Sequence, residues 1–160
     1  MAPEPIAKQI DRELKFGYNN RRVTTLAVNN NYGGIAMEMV FYRCEICGKI
    51  IAVVKNTPVP TFCCGKPMQK IEPGTTDASV EKHVPVYEVK DNIVKVTVGS
   101  VLHPMTEPHY IEWIAICTKN GNQRKVLKPT DKPEACFAIC EGDEVQAVYA
   151  YCNLHSLWKA

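Results

Sequence analysis

Ile93-Val94-Lys95-Val96-Thr97-Val98 carries β-branched residues at five of its six positions. Such side chains pack well on a pleated sheet and lose rotamer freedom in a helix. Segments 84–89, 111–117, 124–127, 136–139 and 145–151 share the same short, apolar-rich character. Asn120-Gly121 falls between two of them, and this dipeptide is a strong hairpin signal. Six or so short strands at this spacing predict an all-β fold, a β-sandwich of immunoglobulin-like type. The chain shows no repeat, no low-complexity tract and no nucleotide-binding glycine motif.

Upstream the pattern changes. Segments 40–43, 50–54 and 68–71 read as short strands set around pairs of cysteines. So small a module cannot bury much core, and something else must staple it. The first 38 residues hold five Asn and a Gly33-Gly34 pair. Within them Ile6, Ile10 and Leu14 recur every four residues, with Pro5 before and Gly17 after, which predicts a short helix. Residues 29–34 read as linker. The expected organisation is an N-terminal extension (1–38), a small metal domain (39–73) and a β-sandwich (77–160).

The 160 residues include 19 Lys+Arg against 17 Asp+Glu, a formal charge of +2. That balance argues against a general nucleic-acid binder, which shows a strong basic excess. No run of about 18 apolar residues exists to cross a membrane as a helix. Met-Ala-Pro-Glu-Pro lacks the basic-then-apolar layout of a signal peptide, so the reducing cytoplasm is the expected compartment. The conspicuous feature is the distribution of 8 Cys and 4 His, all of them between Cys44 and His155. In a reducing compartment such cysteines more often bind metal or do chemistry than form bridges.

Cys44-Glu45-Ile46-Cys47-Gly48 aims two sulfurs at one point, and Cys63-Cys64-Gly65 supplies two more. Four thiolates make a tetrahedral site for zinc or iron, and metal binding would supply folding free energy to the small module. Adjacent side chains on an extended chain point to opposite faces, so Cys63 and Cys64 reach one metal only if the backbone kinks. The competing readings are a redox pair at Cys44/Cys47 and a vicinal disulfide at Cys63/Cys64. Neither uses all four residues.

The histidines are His83, His103, His109 and His155, and Cys152-Asn153-Leu154-His155 places a thiolate three residues before the last. Taken singly, each histidine is more simply a surface or core residue. If all five converge, four imidazoles and one thiolate leave an octahedral metal with one open position, a set that suits redox-active iron better than zinc. A thiolate opposite that position pushes electron density toward a bound oxygen species. Lys82, beside His83, would help attract a small anion.

These stretches, together with Glu81-Lys82-His83-Val84-Pro85, Leu102-His103-Pro104-Met105 and His109-Tyr110-Ile111-Glu112-Trp113, closely resemble the desulfoferrodoxins, the two-iron superoxide reductases. The resemblance runs over about residues 39–160. It implies a desulforedoxin-like domain holding iron by Cys44, Cys47, Cys63 and Cys64. It also implies a second iron with His83, His103, His109 and His155 equatorial and Cys152 axial. The implied reaction is one-electron reduction of superoxide to hydrogen peroxide without oxygen release. In it Lys82 steers the anion and helps deliver a proton, and Glu81 closes the sixth position as product leaves. A rubredoxin-type electron donor and a homodimer are the implied partners, with no nucleic acid and no membrane.

The extension has no counterpart in the simplest members of that family, and translation starting at Met37 or Met39 is one expectation. Cys117, Cys136 and Cys140 fall outside both ligand sets. Thr130 and Ser156 replace glycines common in the family, a change expected to be tolerated. Two rival readings are a rubredoxin-like electron carrier without turnover and a zinc-stabilised interaction module.

Overall fold

The computed structural model describes residues 38–160; the helix expected over residues 6–14 and the linker at 29–34 lie outside the described residues. The first part is built from short strands: β1 (Val40–Arg43), β2 (Ile50–Val53), β3 (Phe62–Cys63), β4 (Lys66–Pro67) and β5 (Gln69–Lys70). β1 is central, pairing antiparallel with β2 and β5, while β3 and β4 form a separate hairpin. A single helical turn, α1 (Val80–His83), leads into the sandwich.

The sandwich has a three-stranded sheet in the order β10-β7-β6 and a four-stranded sheet in the order β12-β11-β8-β9. Its strands are β6 (Pro85–Lys90), β7 (Ile93–Val98), β8 (Ile111–Thr118), β9 (Asn122–Val126), β10 (Glu134–Ala138), β11 (Val145–Cys152) and β12 (Ser156–Lys159). All the pairings are antiparallel. β7 has the bounds expected from its β-branched run, and the Asn120-Gly121 turn joins β8 to β9 as expected. α1, β12 and the β3–β4 hairpin are additions to the sequence reading. Each is only two to four residues long, too short for periodicity to register.

Alternation on β11 shows how the layers are filled. Val148, Ala150 and Cys152 face the three-stranded sheet, joining Val94, Val96, Val98, Ile114, Ile116 and Phe137. Ala147, Tyr149 and Tyr151 face the other way, joining Trp113, Ala115, Cys117 and Leu157. Into that second cluster Phe41 of β1 inserts its ring, 5.1 Å from Trp113 and 5.6 Å from Tyr149. The four-stranded sheet is therefore covered on both faces, which is why β8 is an almost continuous buried run instead of an alternating one.

Register shifts at the start of β8, where Tyr151 opposes Trp113 and Cys152 opposes Ile111. Glu112 is the extra residue of this bulge, and its carbonyl accepts the Leu127 N–H instead. The bulge turns Ile111 to the same face as Ile114 and sits directly beside Cys152. Ser156 has φ +61, a left-handed conformation costing roughly 1–2 kcal/mol for a residue with a Cβ. The expectation that its side chain is tolerated holds only at that cost. Thr130 has no such conformation.

Candidate metal centres

The four-cysteine centre is made by two turns. Cys44 directly follows β1, and the Gly48 N–H donates to its carbonyl at 2.9 Å, closing the first turn with Gly48 at φ +72. Cys63 is on β3, and Cys64 and Gly65, at φ +51 and +75, make the two-residue turn into β4. This is the kink that two adjacent ligands require. The four sulfurs lie within 4.8 Å of one another, with Cys47 to Cys63 at 3.7 Å and Cys63 to Cys64 at 3.9 Å. Four sulfurs placed tetrahedrally at 2.3 Å from a metal stand about 3.8 Å apart. None of the eight cysteines is in a disulfide, and a redox pair or a vicinal bridge would need only two of the four sulfurs that converge here. The Cys47 backbone N–H, followed by that of Ile46, lowers Cys44 to about 7. Crowding by the sulfurs of Cys47, Cys63 and Cys44 pushes Cys64 up to about 12. A bound cation removes that conflict.

The second centre lies at one end of the sandwich. His83 ends α1, His103 and His109 lie in the β7–β8 loop, Cys152 ends β11, and His155 lies in the turn to β12. Their ligand atoms all fall within 4.8 Å of one another. The rings form a square: His83–His103, His103–His109, His109–His155 and His155–His83 have centroids 4.7, 4.6, 4.8 and 4.7 Å apart, with interplanar angles of 76–85°. The diagonal from His83 to His109 is 6.2 Å. Nε2 of His83 stands 2.9 Å from Nδ1 of His155. Two nitrogens at 2.1 Å from a metal and at right angles to each other are about 3.0 Å apart; tetrahedral ligands would be wider.

For two of the rings the surrounding backbone sets which nitrogen is free. Nδ1 of His83 donates to the Ser79 carbonyl at 2.7 Å, and Nδ1 of His103 to the Pro104 carbonyl at 2.7 Å. Each contact leaves Nε2 bare, the second-layer arrangement common to metal-binding imidazoles. Nε2 of His103 and of His109 are buried without a hydrogen-bond partner, an arrangement that is costly unless a cation takes the lone pairs. Burial, with the neighbouring rings adding to it, lowers His83, His109 and His103, the last to about 4. The shift favours the neutral imidazole, the form that coordinates a metal, in all three. Burial raises Cys152, opposed by the backbone N–H groups of His155 and Leu154. The residues fit an iron with four nitrogen ligands and one sulfur ligand.

Glu81 and Lys82 are exposed on α1 next to His83. Their turn is packed on the start of the β7–β8 loop: the Val101 N–H donates to the Glu81 carbonyl at 3.0 Å. A Cβ on Gly99 would lie 2.3–2.9 Å from the carbonyl oxygens of Val101, Lys82 and Glu81, so only glycine permits this approach. The Glu81 carboxylate is held below its usual range by its own backbone N–H and then by the Ser79 hydroxyl; it is not among the converging ligand atoms. Cys117 is buried on β8, whereas Cys136 and Cys140 are exposed, and all three lie outside both clusters.

Sequence reasoning missed the supporting groups. Trp158 stacks on His83 at 4.8 Å and 24°, and its indole N–H donates to the His155 carbonyl at 2.9 Å. Asn153 bonds to both neighbours of His109 in the chain. The signal for both was their position inside or just after the Cys152–His155 motif.

No helix among the described residues is long and apolar enough to cross a membrane. The family model described as "Desulfoferrodoxin" matches residues 75–160, and that described as "Desulfoferrodoxin, N-terminal domain" matches residues 36–71. The chain is 50% identical over 119 residues to a desulfoferrodoxin of Nitratidesulfovibrio vulgaris, covering 74% of this chain and 93% of that one. A Syntrophotalea carbinolica desulfoferrodoxin is 44% identical over 126 residues, covering 79% of this chain and 98% of the relative. Among solved structures, the superoxide reductase from Treponema pallidum superposes with a TM-score of 0.66 at 37% identity, over 78% of this chain and 99% of that one. The four-cysteine cluster and the four-histidine, one-cysteine cluster match the two-iron arrangement of desulfoferrodoxins, and the chain belongs to the desulfoferrodoxin family.

Proposed function

We propose that this chain is a superoxide reductase, in which superoxide, one electron and two protons become hydrogen peroxide and no dioxygen is released. The observation that carries the reading is the square of four imidazoles closed by one buried thiolate, a set with more ligands than a structural zinc site uses. A ferrous iron held by His83, His103, His109, His155 and Cys152 would supply the electron and a local positive charge. A relation to a protein named superoxide reductase supports the same activity.

The chain's own residues then have separable tasks. The three histidines of lowered basicity bind a cation instead of repelling it. Cys152 contributes the negative charge, held by the N–H groups of His155 and Leu154. The exposed ammonium of Lys82 draws the substrate anion and passes a proton on through water. Glu81 must release its own backbone N–H and Ser79 before it can turn toward the centre. Residues 39–73 form the four-cysteine iron unit and 77–160 the catalytic unit, fed by a rubredoxin-type donor in a cytoplasmic homodimer.

The test starts with iron-loaded protein, which should hold two irons per chain and consume superoxide without evolving oxygen. Cys152→Ser should abolish turnover while the visible absorption of the four-cysteine iron stays intact. Iron at the four-cysteine site alone, or undiminished turnover in Cys152→Ser, would overturn the reading.

A further inference from the structure

Three of the four imidazoles have an evident device that orients them. His83 and His103 each anchor Nδ1 on a backbone carbonyl, and His155 shares the tight β11–β12 turn with Cys152, its Nδ1 3.6 Å from the sulfur. The His109 ring has no hydrogen bond of its own among the described residues, and its buried Nε2 is unpartnered. Its aim must therefore come from its backbone. Thr106 closes one side of that loop, where the two residues exchange N–H···O=C bonds at 3.0 Å each. On the other side stands a single residue of the opposite strand end, Asn153.

The half-buried Asn153 amide brackets His109. Its Oδ1 accepts the Tyr110 N–H at 2.9 Å, and its Nδ2 donates to the Pro108 carbonyl at 3.0 Å. Its backbone N–H adds a bond to the Tyr110 carbonyl at 3.1 Å. Besides the Cys152 thiol, which donates to the same Oδ1 at 3.9 Å, the groups it meets are one donor and one acceptor, placed immediately before and after His109. Only a carboxamide of this length offers both complements; aspartate has no donor for Pro108, and alanine has neither partner. Asn153 also directly follows Cys152 and precedes His155 by two residues. The His109 end of the β7–β8 loop is thus locked to the turn bearing Cys152 and His155.

We propose that Asn153 is a positioning residue that sets His109 in the five-ligand centre, doing through the backbone what the Ser79 and Pro104 carbonyls do for their rings directly. The inference rests on the metal reading above, but not on the reaction assigned to it. Outer groups of this kind typically change metal affinity by about 10–100-fold.

The test uses full-length, iron-loaded protein in competition with a ferrous chelator. Asn153→Ala should release iron from the five-ligand centre with at least about 10-fold weaker affinity, and the four-cysteine iron should be unchanged. Replacing the iron at the five-ligand centre with cobalt(II) gives a second reading. The ligand-field bands of Asn153→Ala should move toward those of His109→Ala, and the sulfur-to-cobalt charge transfer from Cys152 should persist. Asn153→Asp, which keeps the Tyr110 contact and loses the Pro108 one, should fall between Asn153→Ala and the parent. Parental affinity and spectrum in both Asn153 variants would overturn the proposal. So would loss of the charge-transfer band, which would place the damage at Cys152 instead of His109. Superoxide turnover enters neither readout, so a protein without that activity would still test Asn153.

Discussion

At the four-cysteine centre, Cys47 and Cys64 are exposed, and the ligands sit on two turns joined by two- to four-residue strands. At the five-ligand centre, His83, His103 and Cys152 are buried, and Cys152 belongs to the inter-sheet core itself. Within residues 38–73 the buried side chains are Phe41, Cys44 and Met68, whereas the sandwich closes over two large clusters. The contrast separates two uses of a metal. In the first region the ion stands in for a missing core, and the cluster of mutually crowding thiols has little else to hold it. In the second, the core exists already and presents a finished socket. The ion there is a guest with chemistry to perform.

The harshest way to break this comparison is to remove both metals under reducing conditions and follow amide exchange. Protection of β2, β3 and β4 should fall by about 100-fold or more, toward that of an open loop. β7, β8 and β11 should stay protected, because their apolar faces need no ion. Equal protection in both regions would show that residues 38–73 have a core the burial pattern does not reveal.

A smaller but sharper effect is expected at Phe41, the one ring of the first region that enters the second. Phe41→Ala leaves a cavity against Trp113 and Tyr149 and should cost about 3–5 kcal/mol in chemical denaturation of the sandwich, as buried aromatic truncations do. If the loss stays under about 1 kcal/mol, the surrounding cluster closes over the gap and the two regions are less dependent on each other than their packing implies.

How much of this was legible in the sequence follows the same division. The four-cysteine centre was readable because its ligands come in close pairs, and local spacing decides where they point. β7 was readable because five β-branched residues leave little alternative. The five-ligand centre was readable as a list of residues but not as a geometry: its ligands come from α1, a long loop and the β11–β12 turn, and only tertiary packing closes the square. The Glu112 bulge beside Cys152 had no local signal, since nothing in Ile111-Glu112-Trp113 departs from strand composition. The left-handed Ser156 was hidden because a serine does not advertise the positive φ that a glycine would have announced. Asn153 was in plain view within the motif, but its role depends on Pro108 and Tyr110, over forty positions earlier.

The gentlest test asks whether attraction for the substrate also belongs to one region only. Lys82 is exposed and sits one residue from a ligand, so its charge acts at short range through water. At 0.15 M salt the Debye length is about 8 Å, enough to weaken such a charge but not to silence it at one residue's distance. Lys82→Ala should slow the reaction with superoxide several-fold and flatten the dependence of its rate on ionic strength. Lys82→Arg should restore the salt dependence, because it restores the charge. Lys66→Ala removes another exposed lysine, beside the four-cysteine turn, and should leave rate and slope alone. If Lys66→Ala slows the reaction as much as Lys82→Ala, the field that draws the anion is spread over the whole molecule, and the division of labour fails for electrostatics even where it holds for folding.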